Sequence, residues 1–155
     1  LLTGESYSDY KLSFQWRWSS QPGNSGLLLH VSGPRVVWPK CIEAQLKSGD
    51  AGDFYMIGGT EIEEAKVINA KMGLSHRQKR HPSTERPPGE WNTMEVECRG
   101  PVIRVRVNGM LQNEALHASE TRGRIGLQSE GAPIEFRRIV LTPMAPALEI
   151  EQDDE

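Results

Sequence analysis

The chain has 155 residues, a formal charge of −3 and a pI near 5.9. It therefore fits one domain of ordinary size and lacks the basic surplus that is typical of nucleic-acid binders. No apolar run approaches the roughly 18 residues that a membrane-spanning helix needs, so we expect no nucleic-acid partner and no membrane span. The opening Leu1-Leu2-Thr3 carries no initiator Met, and we expect that strands of the fold lie upstream of it.

Alternation of apolar and polar residues with a period of two, which is typical of β-strands, dominates the first part of the chain. It predicts strands over residues 10–18, 27–31, 41–46 and 54–57. The second of these buries Leu29 and turns Leu28 and His30 to the opposite face. The third buries Ile42 and Ala44 and turns its odd-numbered residues, Cys41, Glu43 and Gln45, the other way.

The stretch 58–89 is polar and weakly periodic, and it predicts a long loop or excursion. His76 and His81 lie in its basic part, which is typical of a solvated loop. Strands resume over residues 91–99, 102–107, 124–128 and 134–141, with a turn at 108–109. The interpretation is an all-β domain over residues 1–145 and an acidic tail over 146–155.

Two cysteines, Cys41 and Cys98, lie in predicted strands far apart in the sequence. They are compatible with a disulfide in an exported protein or with two buried free thiols. Their spacing gives little support for a zinc site.

Seven segments occur in an order that resembles the 3-keto-disaccharide hydrolase domain family. They are Tyr7-Ser8-Asp9-Tyr10-Lys11-Leu12, Gly23-Asn24-Ser25-Gly26, Ile42-Glu43-Ala44-Gln45-Leu46, Gly89-Glu90-Trp91-Asn92, Val107-Asn108-Gly109, Gly123-Arg124-Ile125-Gly126-Leu127-Gln128 and Glu135-Phe136-Arg137. The resemblance implies a concanavalin A-like jelly-roll β-sandwich of two antiparallel sheets. It also implies a bacterial, periplasmic or secreted protein that acts on glycosides oxidised at C3 of glucose.

A 3-keto-glycoside has an acidic hydrogen at C2, so its cleavage by hydrolysis or elimination needs a general base, a group that stabilises the enolate oxygen and an acid for the leaving group. If Leu29, Ile42 and Ala44 face the core, then His30, Glu43 and Gln45 face outward together. Glu43 is the first candidate for the base or a metal ligand, with His30 as its partner. Glu130 is the third catalytic candidate.

Substrate binding is assigned to residues on outer faces or in loops: Gln45, Arg17, Gln128, Arg137 and Trp38. The arginines suit sugar hydroxyls or the ketone, and Trp38 suits stacking on a sugar ring. A divalent metal held by His30 and Glu43 is one option for stabilising the enolate, and no other cofactor is expected.

Other interpretations stay open at this point. Glu43 and Gln45 also fit solvated strand positions, His30 fits a structural histidine, and Trp91 fits a core cap as well as a stacking surface. A non-catalytic carbohydrate-binding module and an interaction domain of a larger surface protein are the alternatives to an enzyme. A retaining glycosidase is disfavoured, because the position two residues after Glu43 holds Gln45 instead of a second carboxylate.

Overall fold

The computed structural model describes residues 1–146 and consists of two antiparallel sheets. The strands are β1 (Tyr10–Trp18), β2 (Gly26–Ser32), β3 (Lys40–Gln45), β4 (Phe54–Ile57), β5 (Lys66–Asn69), β6 (Leu74–Arg77), β7 (Asn92–Arg99), β8 (Val102–Val107), β9 (Met110–Ala115), β10 (Arg124–Leu127) and β11 (Ile134–Pro143). One sheet has the order β11-β1-β7-β8-β9 and the other the order β10-β2-β3-β4-β6-β5. The predicted all-β jelly-roll sandwich is confirmed.

The core lies between the sheets and is built from the alternating apolar positions. Phe14 and Trp16 of β1 pack with Leu29 of β2 and with Ile42 and Ala44 of β3, and all five are at most 1% exposed. The opposite side of the six-stranded sheet, called its outer face below, is therefore free to carry the polar residues of β3.

The segment predicted as a long loop or excursion, 58–89, contains two strands, so it is not a loop over residues 66–69 and 74–77. β5 and β6 flank a single 3₁₀ turn at Ala70–Met72 and extend the six-stranded sheet. They escape a periodicity test because β5 is exposed at every position and β6 is half-buried throughout.

β9 is a third strand that the alternation does not predict. Its interior holds two polar residues, Gln112 and Asn113, which are fully buried. The Asn113 amide donates to the carbonyls of Gly52 and Arg77, and the Gln112 amide donates to that of Pro82. These bonds tie the turn before β4, the end of β6 and the segment after it to β9, the edge strand of the five-stranded sheet.

The chain start pairs with the free edge of β10. The Leu1 ammonium donates to the carbonyl of Leu127, and the amide of Thr3 donates to that of Ile125. The expectation of further strands upstream stays a prediction. Of the predicted tail, residues 147–155 lie outside the described residues.

Both cysteines are free and buried. Cys98 belongs to the core, whereas Cys41 lies in a small apolar cluster with Leu28, Val31 and Ile57. Burial is the main cause that raises the pKa of each thiol to about 12, so both stay protonated near neutral pH. Of the two options, the structure has free thiols.

Within residues 1–146, no helix has the length and apolarity needed to cross a membrane.

Candidate functional site

The register of four neighbouring strands aligns one row of side chains on the outer face of the six-stranded sheet. Leu28 of β2 is paired with Glu43 of β3, Glu43 with Tyr55 of β4, and Tyr55 with His76 of β6. Directly paired residues project on the same side of a sheet. A carboxyl, a phenol and an imidazole therefore follow one another across this face.

A cavity of about 360 Å³ opens over the middle of this row and is lined there by Glu43 and Tyr55, but not by Leu28 or His76. Its polar lining includes Asn24, Glu43, Gln45, Lys47, Gln128 and Glu130, and its apolar lining includes Trp38, Ile57, Met72 and Leu74. The size is at the lower end of the range for small-molecule sites. The mixture of carboxylates, amides and apolar surface suits a sugar, whose ring has polar edges and apolar faces.

Glu43 is the most deeply placed carboxyl of this cavity, with only 4% of the residue exposed. Its carboxyl lies above Gly26 of β2, where a Cβ atom would come within 2.8 Å of Cδ and Oε1. The glycine therefore leaves the space that this side chain fills. No donor within residues 1–146 hydrogen-bonds the carboxyl, so both oxygens are left for a ligand.

The electrostatic setting of Glu43 makes its carboxyl a stronger base than an ordinary glutamate. Burial, with a smaller contribution from the negative charge of Glu130, raises the pKa of Glu43 to about 7. Such a group changes protonation state near neutral pH, which is the property that a general base or acid needs.

The loops at the cavity mouth are fixed by hydrogen bonds. The Asn24 amide donates to Oε2 of Glu130 at 2.6 Å, and Asn24 and Glu130 also form an isolated β-bridge. The Ser25 hydroxyl donates to the carbonyl of Gln128 at 2.5 Å. These contacts bring Gln128 and Glu130 into the cavity that Glu43 lines.

Gln45 presents donors to the cavity. Its Oε1 atom accepts hydrogen bonds from the backbone amides of Leu46 and Lys47, at 3.0 and 3.1 Å. The Nε2 group of Gln45 has no acceptor within residues 1–146, and it remains available to a ligand oxygen. The exposed Lys47 lines the same cavity and adds a positive charge.

An ordered Asp–His pair lies at the other end of the row. Nε2 of His76 is 2.9 Å from Oδ2 of Asp53, and the His76 ring stacks on Tyr55 with 4.5 Å between centroids. Asp53 is 3% exposed and also accepts from the amide of Lys79. Nothing in the sequence marks His76, because its role depends on the pairing of β4 with β6.

His30 does not lie in the site, so the prediction for this residue is corrected. A β-bulge places His30 and Val31 opposite the single residue Cys41, between the pairs Leu29–Ile42 and Ser32–Lys40. His30 adopts a left-handed φ of 53°, and Val31 instead of His30 joins the apolar cluster of the outer face. The imidazole is fully buried, does not line the cavity, and has no hydrogen-bond partner within residues 1–146.

Arg17 and Arg137 are also placed elsewhere than predicted. They lie on β1 and β11 of the five-stranded sheet, with their guanidinium carbons 4.6 and 3.9 Å from the ring centroid of Trp91. Arg17 is paired with Glu135, and Arg137 donates to Gln15. These arginines hold the surface of the second sheet together and do not line the cavity around Glu43.

The metal pair proposed from the sequence does not form, because His30 points away from the cavity that Glu43 lines. Within residues 1–146, no group of three or more His, Cys, Asp or Glu side chains is arranged to hold an ion. The residues present do not fit the expected metal site.

The fold and the lining of the cavity define a jelly-roll β-sandwich of the carbohydrate-related class. The family model described as "3-keto-alpha-glucoside-1,2-lyase-like domain" matches residues 1–142. The chain belongs to this family, which confirms the resemblance seen in the sequence. A search of curated proteins gives no match.

Solved structures share the fold at low sequence identity. A proposed glycosyl hydrolase from Parabacteroides distasonis has a TM-score of 0.66 and 21% identity, over 92% of this chain and 82% of that one. The carbohydrate-binding module CBM66 from Bacillus subtilis has a TM-score of 0.64 and 14% identity, over 90% and 78%. The Caenorhabditis elegans galectin LEC-6 has a TM-score of 0.53 and 13% identity, over 89% of each chain. At these identities the likeness establishes the fold alone.

Proposed function

We propose that this protein cleaves 3-keto-glycosides and that Glu43 is the base that removes the proton from C2. The observation that carries the proposal is the setting of the Glu43 carboxyl in a cavity of sugar size. The carboxyl is buried, accepts no hydrogen bond from residues 1–146, and has a pKa that is raised to about 7. Membership of the 3-keto-alpha-glucoside-1,2-lyase-like family supports the choice of substrate.

The chemistry begins with the ketone at C3, which makes the hydrogen at C2 acidic. The Glu43 carboxylate takes this hydrogen as a proton, and the electron pair of the C–H bond moves into the enolate. The enolate then re-forms the ketone, a C1–C2 double bond forms, and the C1–O bond breaks with the electron pair leaving on oxygen. The leaving oxygen takes up one proton, so the products are an alcohol and an unsaturated ketone; subsequent addition of water to the double bond completes a hydrolysis.

The negative charge that develops on the C3 oxygen needs donors that are already in place. The free Nε2 group of Gln45 and the ammonium of Lys47 are the donors that line the cavity beside Glu43. Gln128 and the Glu130 carboxylate, which is anchored by Asn24, suit the hydroxyls of the ring. Glu130 also helps to keep the pKa of Glu43 high.

A second candidate function, sugar binding without cleavage, is favoured by a different observation. Trp38 is 53% exposed at the cavity rim, and an exposed indole beside polar groups is a suitable stacking surface for a sugar ring. Relatives of this fold include a carbohydrate-binding module and a galectin. The two functions share one cavity and differ in what Glu43 does there.

The discriminating experiment incubates the protein with a 3-keto-glucoside and with the matching unoxidised glucoside, with and without a chelator. We expect turnover of the 3-keto compound alone, and loss of turnover in Glu43→Gln with retained binding. Binding of either sugar by the wild type without turnover would overturn the enzyme and establish the binding module.

Trp38→Ala measures the contribution of stacking under either function. Loss of an exposed aromatic contact is worth about 1 kcal/mol, so the Kd for sugar should rise about fivefold. Val37→Ala is the matched control, because Val37 is 79% exposed on the same loop but does not line this cavity. Equal effects of the two variants would remove Trp38 from the site.

The periplasmic or secreted location implied by the resemblance stays a proposal, which fractionation of the native host would test.

A further inference from the structure

The Asp53–His76 pair is a second set of acid–base groups on the outer face of the six-stranded sheet. Asp53 is buried and fixes one ring nitrogen of His76, at 2.9 Å. Stacking on Tyr55 fixes the plane of the imidazole. The imidazole is therefore oriented at its edge by Asp53 and at its face by Tyr55.

The contact with Asp53 determines which nitrogen of His76 is available. An ionised carboxylate only accepts hydrogen bonds, so the hydrogen of this contact belongs to Nε2, which donates a hydrogen bond to Oδ2. Nδ1 has no partner within residues 1–146 and is therefore the atom that can exchange a proton with a ligand.

The charged groups around the pair come from several segments. The Lys79 ammonium lies 3.8 Å from Asp50 and 3.9 Å from Asp53, and the amide of Lys79 donates to Asp53. Lys66 of β5 is paired with His76 across the sheet. Tyr55 stays neutral, because burial, followed by the charges of Asp53, Asp50 and Glu43, raises the pKa of its phenol.

The position of His76 relative to Glu43 follows from the register. The two residues are on the same row and are separated by one strand, β4, so their Cα atoms lie about 10 Å apart at the usual strand spacing. Between them lies Tyr55, which lines the cavity. His76 is not part of the cavity lining, so the imidazole can serve a part of the substrate that extends past Tyr55, on the side away from Glu43.

We propose that His76 is the general acid of the site and that its Nδ1–H protonates the glycosidic oxygen as the C1–O bond breaks. The inference rests on the proposed function and names the group that serves the leaving-group side. Glu43 gains the C2 proton and His76 loses its own to the departing alcohol. Solvent then restores both groups, so the reaction needs no other reactant.

The test compares two leaving groups in His76→Gln. A general acid matters most for a poor leaving group, and general acids contribute about 10²–10⁴-fold to the rate. We expect kcat/KM for methyl 3-keto-glucoside to fall at least about 100-fold, and kcat/KM for the 4-nitrophenyl compound to fall less than about tenfold. His81→Gln is the matched control, since His81 is exposed in the same segment and should leave both values unchanged.

The outcomes separate this inference from the proposed function. An equal loss for both substrates, or no loss for either, in an active protein overturns the role of His76 alone. A wild type that cleaves neither substrate overturns both proposals.

A measurement in a protein that retains His76 guards against a His76→Gln variant that fails to fold. In Glu43→Gln, which should hold the substrate uncleaved, saturation with methyl 3-keto-glucoside should shift the Nδ1 nitrogen resonance of His76 and leave that of His117 unchanged. A His76 resonance that does not respond overturns the inference.

Discussion

The Glu43 carboxyl occupies the space above the α-carbon of Gly26, where any side chain on β2 would meet it at 2.8 Å. The two residues lie on adjacent strands, and Gly26 is the partner of Gln45 in the register. The absence of a side chain at position 26 therefore leaves the space that the Glu43 carboxyl fills, in the cavity that Asn24 and Glu130 also line.

Gly26→Ala should impair function more than folding. The new methyl group would displace the far end of a flexible side chain, so the structural cost is small, whereas a misplacement of about 1 Å at a reacting group can cost about 100-fold in rate. We expect kcat for a 3-keto-glucoside to fall about 10- to 100-fold, with a Tm close to that of the wild type. Gly4→Ala is the control, because nothing lies within 4 Å of a Cβ atom there. A fully active Gly26→Ala protein would contradict the assigned position of Glu43.

Stability should fall with rising pH because of Glu43. Its pKa is about 7 in the folded protein against an ordinary value of 4.5, so the folded state holds a proton that the unfolded state releases between these values. The contribution of this proton to the free energy of unfolding is fully present below about pH 4.5 and is lost as the pH rises to about 7. The total loss is at most about 3 kcal/mol. In urea unfolding, the free energy of unfolding should differ less between pH 5 and pH 8 for Glu43→Gln than for the wild type. Identical differences would show that the carboxyl is not buried as described.

His30 should lower the stability of the folded protein as the pH falls, which is the opposite of the effect of Glu43. Burial, only partly offset by Glu120 and Asp9, lowers the pKa of His30 to about 4 from an ordinary 6.5. The unfolded state therefore binds the proton first, and stability is lost as the pH falls from about 6.5 to about 4.

His30→Asn keeps a residue type that tolerates the left-handed backbone and removes the titrating group. The loss of unfolding free energy between pH 6.5 and pH 4 should be smaller in this variant than in the wild type. His117→Gln, at an exposed position, should match the wild type. A variant that loses as much stability as the wild type would place His30 in contact with solvent.

The strands that carry the core were predictable because apolar alternation is the physical requirement for them. Ile42 and Ala44 must face inward, and this fixes Glu43 and Gln45 on the outer face without further information. The strands β5 and β9 were not predictable in this way. β5 buries none of its residues, and β9 is held by the amides of Gln112 and Asn113, whose partners lie in loops distant in sequence.

The site was only partly predictable, for two physical reasons. Alternation placed His30 beside Glu43, but one extra residue in a bulge reverses which side chain faces outward, and nothing in residues 27–31 signals the bulge. His76 was assigned to a loop, because its meaning arises from the pairing of β4 with β6 and from Asp53, 23 residues earlier. Cross-strand partners of this kind are properties of the register and not of either segment.

The most direct measurement of the central claim follows the hydrogen at C2 of a 3-keto-glucoside in D₂O by NMR. The wild type should replace this hydrogen with deuterium, or cleave the glycoside, far faster than buffer alone, and Gly4→Ala should do the same. Glu43→Gln should lose both reactions while still binding the sugar. Exchange and cleavage at wild-type rates in Glu43→Gln would contradict the assignment of Glu43 as the base.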